Sequence, residues 1–266
     1  MVHFSMAQQD IRYYLNGLLL VVDGKNVIAV ATDGHRLAFS QIVTDQEFAR
    51  QEVIIPRKTI IELQRLLEET DDLVTLQIAT NQVKVDFADI ELISKLVEGK
   101  FPDYTRVIPK AYKNNFTIGR ELLLRSLQRA AIMTSDKFKG VRCVIAPGSL
   151  KISSTNADQE EAVEELEIDY GGDSVDIGFN VTYLLDALSA VDGENVEIGL
   201  SDANSSCLIR APGGTPRTRT ETQGLWSCLN RDPNLGYPPV RRPRATRPAA
   251  PRSGRSAAPR PPRSAR

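Results

Sequence analysis

The chain changes character after Ile209, and this break bounds what it can fold into. Residues 211 to 266 hold 11 prolines and 12 arginines, no lysine and only scattered apolar side chains. Such a segment buries too little apolar surface to offset the entropy of ordering its backbone, so it is expected to be a disordered tail. Any folded core must come from the residues before it. The same cut divides the charge. Of the 33 basic and 34 acidic residues, 12 and 2 respectively lie after Arg210, which leaves about −11 on the body and about +10 on the tail. The overall charge of −1 conceals this opposition, and an acidic body with a basic tail needs two separate explanations.

The hydrophobic content of 41% gives the body material for one or two substantial cores. Its longest purely apolar run, Leu18 to Val22, is far short of the roughly 20 residues of a membrane-spanning helix. The N-terminus has no basic-then-apolar signal pattern, so a cytoplasmic protein is expected. Cys143, Cys207 and Cys228 are widely spaced and odd in number, and His3 and His35 are the only histidines. That inventory points to reduced thiols rather than a disulfide framework or a zinc site, and no metal or cofactor is expected.

Turn signals and periodicity divide the body. Strands are expected at Arg12 to Val22, Asn26 to Thr32 and His35 to Val43, joined by turns at Asp23-Gly24 and Asp33-Gly34. A short strand at Val53 to Ile55 leads through Pro56 into an amphipathic helix from Arg57 to Glu69, with Ile60, Leu63, Leu66 and Leu67 on one face. Strands at Leu73 to Ala79, Asn81 to Phe87 and Ile90 to Leu96 follow, and a Pro-containing connector, Phe101 to Pro109, closes the unit. A second unit opens with a strand at Asn115 to Ile118 and a helix from Arg120 to Met133, its apolar face formed by Leu123, Leu124, Leu127 and Ala131. Next come strands at Val141 to Ala146, Leu150 to Ser154, Glu160 to Ile168 and Val175 to Phe179. A helix from Asn180 to Val191 has Asn180 as its N-cap and ends before Gly193. Strands at Val196 to Leu200 and Ser206 to Ile209 finish the body. The strand-helix-hairpin unit near Val53 recurs near Val175, which implies an internal duplication.

Several of these segments are similar to one known family. The run Gln9-Asp10-Ile11-Arg12-Tyr13-Tyr14-Leu15-Asn16-Gly17 resembles the bacterial DNA polymerase III beta subunit, the sliding clamp. So do Ala31-Thr32-Asp33-Gly34-His35-Arg36-Leu37-Ala38, Ser94-Lys95-Leu96, Phe101-Pro102-Asp103-Tyr104, Lys137 to Arg142, Asn156 to Ala162 and Ile177 to Val181. The resemblance covers residues 3 to 209. It implies an α+β clamp fold of repeated domains, antiparallel sheets outside and helices lining a ring. Residues 1 to 112 would be the middle domain without its first strand and most of its first helix. Residues 113 to 210 would be the C-terminal domain without its last strand, and 211 to 266 the disordered tail. The switch after Ile209 is what a shifted reading frame would produce, and sequencing the locus across the codons for Ser201 to Thr220 tests that.

The implied partners are double-stranded DNA, and the polymerase III catalytic subunit, clamp loader and repair proteins, which dock through a short apolar peptide. A clamp holds DNA without reading its sequence, so its lining should meet phosphates through interchangeable cations and polar groups. Arg57 and Lys58 on one helix and Arg125 and Arg129 on another suit that role, and the resemblance adds Gln9, Tyr13 and Tyr14. Taken alone, these cations are also what a solvated helix face looks like, and the tyrosines what an ordinary strand carries. The resemblance further implies a peptide pocket from Leu15, Thr32, Gly34, His35, Arg36, Leu37, Pro102, Arg106, Val107, Phe138, Asn180, Tyr183 and Ser206. Without it, Leu37, Val107 and Phe138 read equally as core. The family's closing wall lies in C-terminal residues this chain replaces, so weakened peptide binding is expected.

Catalysis finds little support. Asp33 with His35 is one candidate acid-base pair and Ser205 or Ser206 a candidate nucleophile. No second histidine lies in a comparable motif, and no Gly-x-Ser-x-Gly, P-loop or carboxylate cluster accompanies them. A noncatalytic accessory subunit is expected. Two other readings remain: a nonspecific nucleic-acid binder acting through the arginine tail, and a nonfunctional clamp remnant. The family forms a homodimeric ring that needs its first domain, so ring closure by this chain alone is not expected.

Overall fold

The computed structural model describes residues 1–67, 73–108, 112–135, 139–203 and 205–213, and the strand at 223–228. All of them lie in one compact unit, Met1–Leu235. Two 3-10 turns, His3–Ser5 and Tyr13–Leu15, precede strand β1, Gly17–Thr32. The strand expected from Arg12 thus begins only at Gly17. The 3-10 turn is the reason: the Leu15 N–H donates to the Arg12 carbonyl (2.8 Å), the Asn16 N–H to the Tyr13 carbonyl (3.1 Å), and the Leu15 carbonyl accepts from the Ala7 N–H (3.0 Å). Backbone groups satisfied in this local way are withdrawn from a ladder.

β1 turns at Asp33-Gly34 and pairs antiparallel with β2, Arg36–Pro56. The other expected turn, Asp23-Gly24, is a bulge. Gly24 has φ +57°, and the register shifts on either side of it while both strands continue. Asp-Gly supplies left-handed backbone to a two-residue turn and to a bulge alike, so the local signal cannot tell them apart. The long pairing partner decides, and it makes strand of the stretch between Val43 and Val53.

β2 runs directly into α1, Arg57–Leu66. The expected helix extended to Glu69, and Glu68 and Glu69 lie outside the described residues. A meander of β3 (Thr75–Ile78), β4 (Gln82–Phe87) and β5 (Ile90–Lys95) follows as expected, its alternation turning Val83, Val85 and Phe87 inward against Ile55. The second half contains β6 (Asn114–Gly119), α2 (Arg120–Ile132), β7 (Gly140–Ala146), β8 (Ser149–Thr155), β9 (Glu161–Glu167) and β10 (Val175–Asn180). It ends with α3 (Val181–Ala190), β11 (Asn195–Leu200) and β12 (Cys207–Arg210). Asn180 caps α3 as expected, its side-chain oxygen accepting from the Thr182 N–H at 3.0 Å. On α2, Leu123, Leu127 and Ala130 are buried and Leu124 and Ala131 partly so, in keeping with the expected apolar face.

Strands β10-β7-β8-β9 form one sheet and β3-β4-β5 another, while β1-β2-β13-β12-β11-β6 form a third that crosses from the first half to the second. Its central member, β13, is Gln223–Cys228, which amends the expectation of disorder from 211 onward and of a missing last strand. β13 pairs with β12 on one side and β2 on the other. The physical reason is that a ladder is made by backbone groups: β12 and β2 each offer a row of N–H and C=O groups that composition-based reasoning does not see. The core crosses over too. Val2, Met6, Leu18, Ala31 and Ala38 belong to the same buried cluster as Leu127, Ile152, Ile177 and Leu188. Among the described residues no helix is long and apolar enough to cross a membrane.

Candidate functional site

The β1-β2 turn builds the main candidate site. Thr32 Oγ1 donates to the Arg36 carbonyl (2.7 Å) and accepts from the Gly34 N–H (3.1 Å), while Asp33 Oδ1 accepts from the N–H groups of His35 (2.8 Å) and Arg36 (2.9 Å). Gly34 has φ +90°, a conformation strained for any residue with a Cβ. The turn is therefore self-bonded and rigid, and it aims Arg36 at the second half of the molecule.

There Arg36 becomes a junction. Its guanidinium bonds Asp33 (3.1 Å) on its own turn, Asp186 on α3 (2.5 Å) and the Phe4 carbonyl (2.8 Å). It also lies over the rings of Tyr183 (4.4 Å) and Phe4 (5.3 Å). The Arg36 side chain is only 13% exposed, so these bonds act where water competes poorly. Two of the expected pocket residues, Arg36 and Tyr183, are thus brought together from 147 positions apart. Asn180 sits one turn away as the α3 cap, and Ser206 is partly exposed beside β12.

The remaining pocket residues divide. Leu15 and Leu37 are 1% and 2% exposed, in a cluster with Leu19, Val30, Phe39 and Phe101 against which Val107 packs half-buried. Pro102 and Arg106 are exposed, the latter paired with Asp103 at 2.9 Å, and Tyr104 between them meets Phe39 at 6.0 Å. His35 is exposed, and Phe138 lies outside the described residues. Leu15 and Leu37 are therefore core residues, with Val107 packed on their cluster, while Tyr183 packs on the other main cluster beside Arg36. Sequence reasoning missed Phe4, Asp186 and Arg12, whose guanidinium lies against Gly34 and donates to the Asp33 carbonyl at 3.5 Å. Only their spatial neighbours reveal them.

Two of the candidate catalytic groups, Asp33 and Ser205, are otherwise engaged. Asp33 is occupied by its turn and by Arg36. Ser205 Oγ accepts from the N–H groups of Ser201 and Asp202 and donates to the Asp202 carbonyl, closing a turn.

The expected DNA-facing residues also separate by environment. Lys58 and Arg125 are exposed, Arg125 pairing with Glu121 one turn away at 2.8 Å. Arg57 is half-buried and donates to the carbonyls of Met6 (3.2 Å) and His3 (3.4 Å). Arg129 is held by both carboxylate oxygens of Glu164 on β9 (2.5 and 2.8 Å) and by Ser126 (2.9 Å). Tyr13 is exposed and meets Tyr14 edge-on at 6.0 Å, and both rings adjoin Gly99. Gln9 is exposed in left-handed backbone with φ +57°. One feature is costly: Arg57 and Lys58 occupy the first turn of α1, where no acidic residue stands and Pro56 provides no side-chain cap. Cations there oppose the helix dipole by about 0.3–1 kcal/mol each, whereas anions are favoured at such an end.

The ion pairs set an acid response. Hydrogen bonding to Arg129 holds Glu164 below its usual range, Arg142 does so for Asp176 and Lys113 for Asp173, and Arg12 brings Asp10 down to about 2. Depressed carboxylates bind fewer protons folded than unfolded, so their stabilisation is complete at neutral pH and is lost as pH falls through the carboxylate range. His3, lowered first by burial, adds a shallower loss that begins below 6.5, its unperturbed value. Urea midpoints measured from pH 7 to pH 2 should therefore fall slightly below about pH 6.5 and steeply below about pH 4.5. His3→Gln should remove only the first step, and a flat profile down to pH 3 would contradict the assignment.

Comparison with known proteins places the chain in a family. Residues 1–103 match the family model described as DNA polymerase III beta subunit, central domain, and residues 105–220 the model described as its C-terminal domain. The beta sliding clamp of Vibrio cholerae is 43% identical over 206 residues, 77% of this chain and 56% of the relative. That of Escherichia coli K12 is 46% identical with the same coverage. The crystal structure of the DNA polymerase III subunit beta from Pseudomonas aeruginosa matches with a TM-score of 0.79 at 40% identity, covering 86% of this chain and 61% of that one. The chain spans a little over half the length of the relatives it matches. With two consecutive domain models of one family, both in their order and together covering most of the chain, and with the same fold in solved members, this chain belongs to the DNA polymerase III beta subunit family.

Proposed function

We propose that the chain supplies the middle and C-terminal parts, 1 to 112 and 113 to 210, of a DNA sliding clamp. This is a noncatalytic cytoplasmic tether that raises the processivity of a replicative polymerase by keeping it on DNA. The observation that carries the reading is the Arg36 junction, which ties the β1-β2 turn to α3 and lies over Tyr183. The junction, with the partly exposed Tyr183 and Val107 and the exposed Pro102 and Arg106, would offer aromatic, apolar and polar groups to a short apolar peptide, the chemistry by which polymerase, clamp loader and repair proteins would dock. The uncapped start of α1 with Arg57 and Lys58, together with Arg125, suits duplex phosphates. Arg129 serves the fold through Glu164.

The test is titration of the full chain with a fluorescent peptide carrying an apolar clamp-binding motif from a polymerase III catalytic subunit. Saturable binding, weaker than that of a full-length clamp, is expected, and no saturable binding would overturn the reading. For DNA, Lys58→Glu should lower the slope of log affinity against log salt by about 0.9, the loss of one phosphate contact. An unchanged slope, with binding abolished by neutralising the tail arginines, would assign DNA binding to the tail.

A further inference from the structure

One short segment is gripped by arginines from two sides. The His3–Ser5 turn closes on itself, the Ser5 N–H donating to the Val2 carbonyl (3.1 Å) and the Met6 N–H to the His3 carbonyl (3.2 Å). Arg36 donates to the Phe4 carbonyl (2.8 Å) and lies over the Phe4 ring (5.3 Å). Arg57 Nη1 donates to carbonyls on both sides of it, those of Met6 (3.2 Å) and His3 (3.4 Å). Arg36 opens β2 and Arg57 follows its last residue, so the two ends of a 21-residue strand meet on residues 3–6. Val2, Ser5, Met6 and Ala7 are buried, and the Ala7 N–H is tied to the Leu15 carbonyl (3.0 Å). Close packing leaves the segment little freedom unless one of its anchors moves.

We propose that residues 3–6 are a strap linking the Arg36 junction to the start of α1, so that a phosphate held by Arg57 strengthens peptide capture at Arg36. The inference rests on the clamp reading for its two ligands and goes beyond it by coupling them. Among the described residues only Nη1 of Arg57 is engaged, so Nε and Nη2 remain to donate to a phosphate oxygen at the uncapped helix start, beside Lys58. A half-buried guanidinium fixed by a phosphate in front holds the carbonyls behind it more firmly. The strap then loses freedom, and Phe4, whose carbonyl and ring both meet Arg36, keeps Arg36 ordered over Tyr183. A peptide arriving there has less disorder left to remove. That is positive coupling, and linkage makes it reciprocal.

The test measures binding of the fluorescent apolar peptide to the full chain, without and with saturating short duplex DNA at one salt concentration. DNA should tighten peptide binding about fivefold or more, and the peptide should tighten DNA binding by the same factor. Arg57→Lys keeps a cation but loses the wide planar fork that reaches carbonyls on one side and a phosphate on the other. Phe4→Leu removes the ring beneath Arg36. Each should bring the ratio close to one, whatever it does to either affinity alone. A ratio of one in the unsubstituted chain, or a ratio that both variants leave intact, as DNA held by the tail would give, overturns the proposal. Two further readouts need no peptide. Urea unfolding of Arg36→Lys, Arg57→Lys and the double variant should depart from additivity by more than about threefold in the unfolding equilibrium constant. Hydrogen exchange of the Ser5, Met6 and Ala7 amides should slow when duplex is added. Additive effects, or exchange unchanged by duplex, would each sink the strap even where peptide binds. Absent peptide binding beside a non-additive cycle and slowed exchange would instead fail the clamp reading while sustaining the link between Arg57 and Arg36, so the two failures are distinguishable.

Discussion

Replacing Arg36 with alanine is expected to lower stability by about 2–4 kcal/mol and to weaken peptide capture at least about tenfold. The guanidinium holds two carboxylates and a carbonyl and lies over two rings in a site from which water is largely excluded. Its removal leaves Asp33, Asp186 and the Phe4 carbonyl short of a donor, and that desolvation cost exceeds the net worth of the bonds themselves. The loss also frees Tyr183, so peptide capture and stability fall together. Arg36→Lys should recover only part of both, because a compact ammonium lacks the wide planar fork that reaches these separated acceptors and cannot lie flat over an aromatic ring. Asp186→Asn, which keeps a hydrogen-bond acceptor but removes one charge, should cost less than Arg36→Ala. Urea unfolding with a parallel peptide titration measures this set. A stability loss below about 0.5 kcal/mol for Arg36→Ala would place it among ordinary surface ion pairs and remove the junction from the account.

The second large effect is expected in the shared core. Leu127 on α2 is 1% exposed, and Leu127→Ala should cost about 3–5 kcal/mol, the removed transfer energy plus the cavity left behind. Its reach is the more telling feature. Val2, Leu18, Ala31 and Ala38, from the first half, belong to the same buried cluster as Leu127, and the six-stranded sheet continues across the join. Hydrogen exchange of β1 and β2 amides should therefore accelerate along with that of β7 and β8. Val83→Ala, in the separate small cluster with Ile55, Val85 and Phe87, should cost less and act locally on β3 to β5. If Leu127→Ala left β1 and β2 protected as in the unsubstituted chain, the two halves would be energetically independent and the shared core would be a packing coincidence.

What the sequence determined by itself was everything written in periodicity and turn chemistry. The apolar spacing of Leu123, Leu124, Leu127 and Ala131 set the face of α2, Asn180 the start of α3, and alternation from Gln82 to Phe87 set β4 and its inward side. These follow from interactions within a few residues, which a linear reading contains in full. The family resemblance likewise led to the expectation that the β1-β2 turn and Tyr183 are neighbours, and Arg36 lies over the Tyr183 ring, although neither spacing nor composition connects them.

The tertiary structure decided whatever depended on a distant partner. Asp23-Gly24 is equally fit for a turn or a bulge, and it is a bulge because β2 pairs along both sides of it. Arg129 has the same local appearance as Arg125, yet β9 brings Glu164 to it and takes it out of the free cations. Leu15 and Leu37 are core rather than open wall because they pack in one buried cluster with Phe39 and Phe101. The segment Gln223–Cys228 lies in a tail whose composition forbids an independent core, and it is nonetheless strand, since β12 and β2 present backbone donors and acceptors on either side of it. A hydrogen-bond ladder asks only for backbone, so a neighbouring edge can order what side chains alone would leave unfolded.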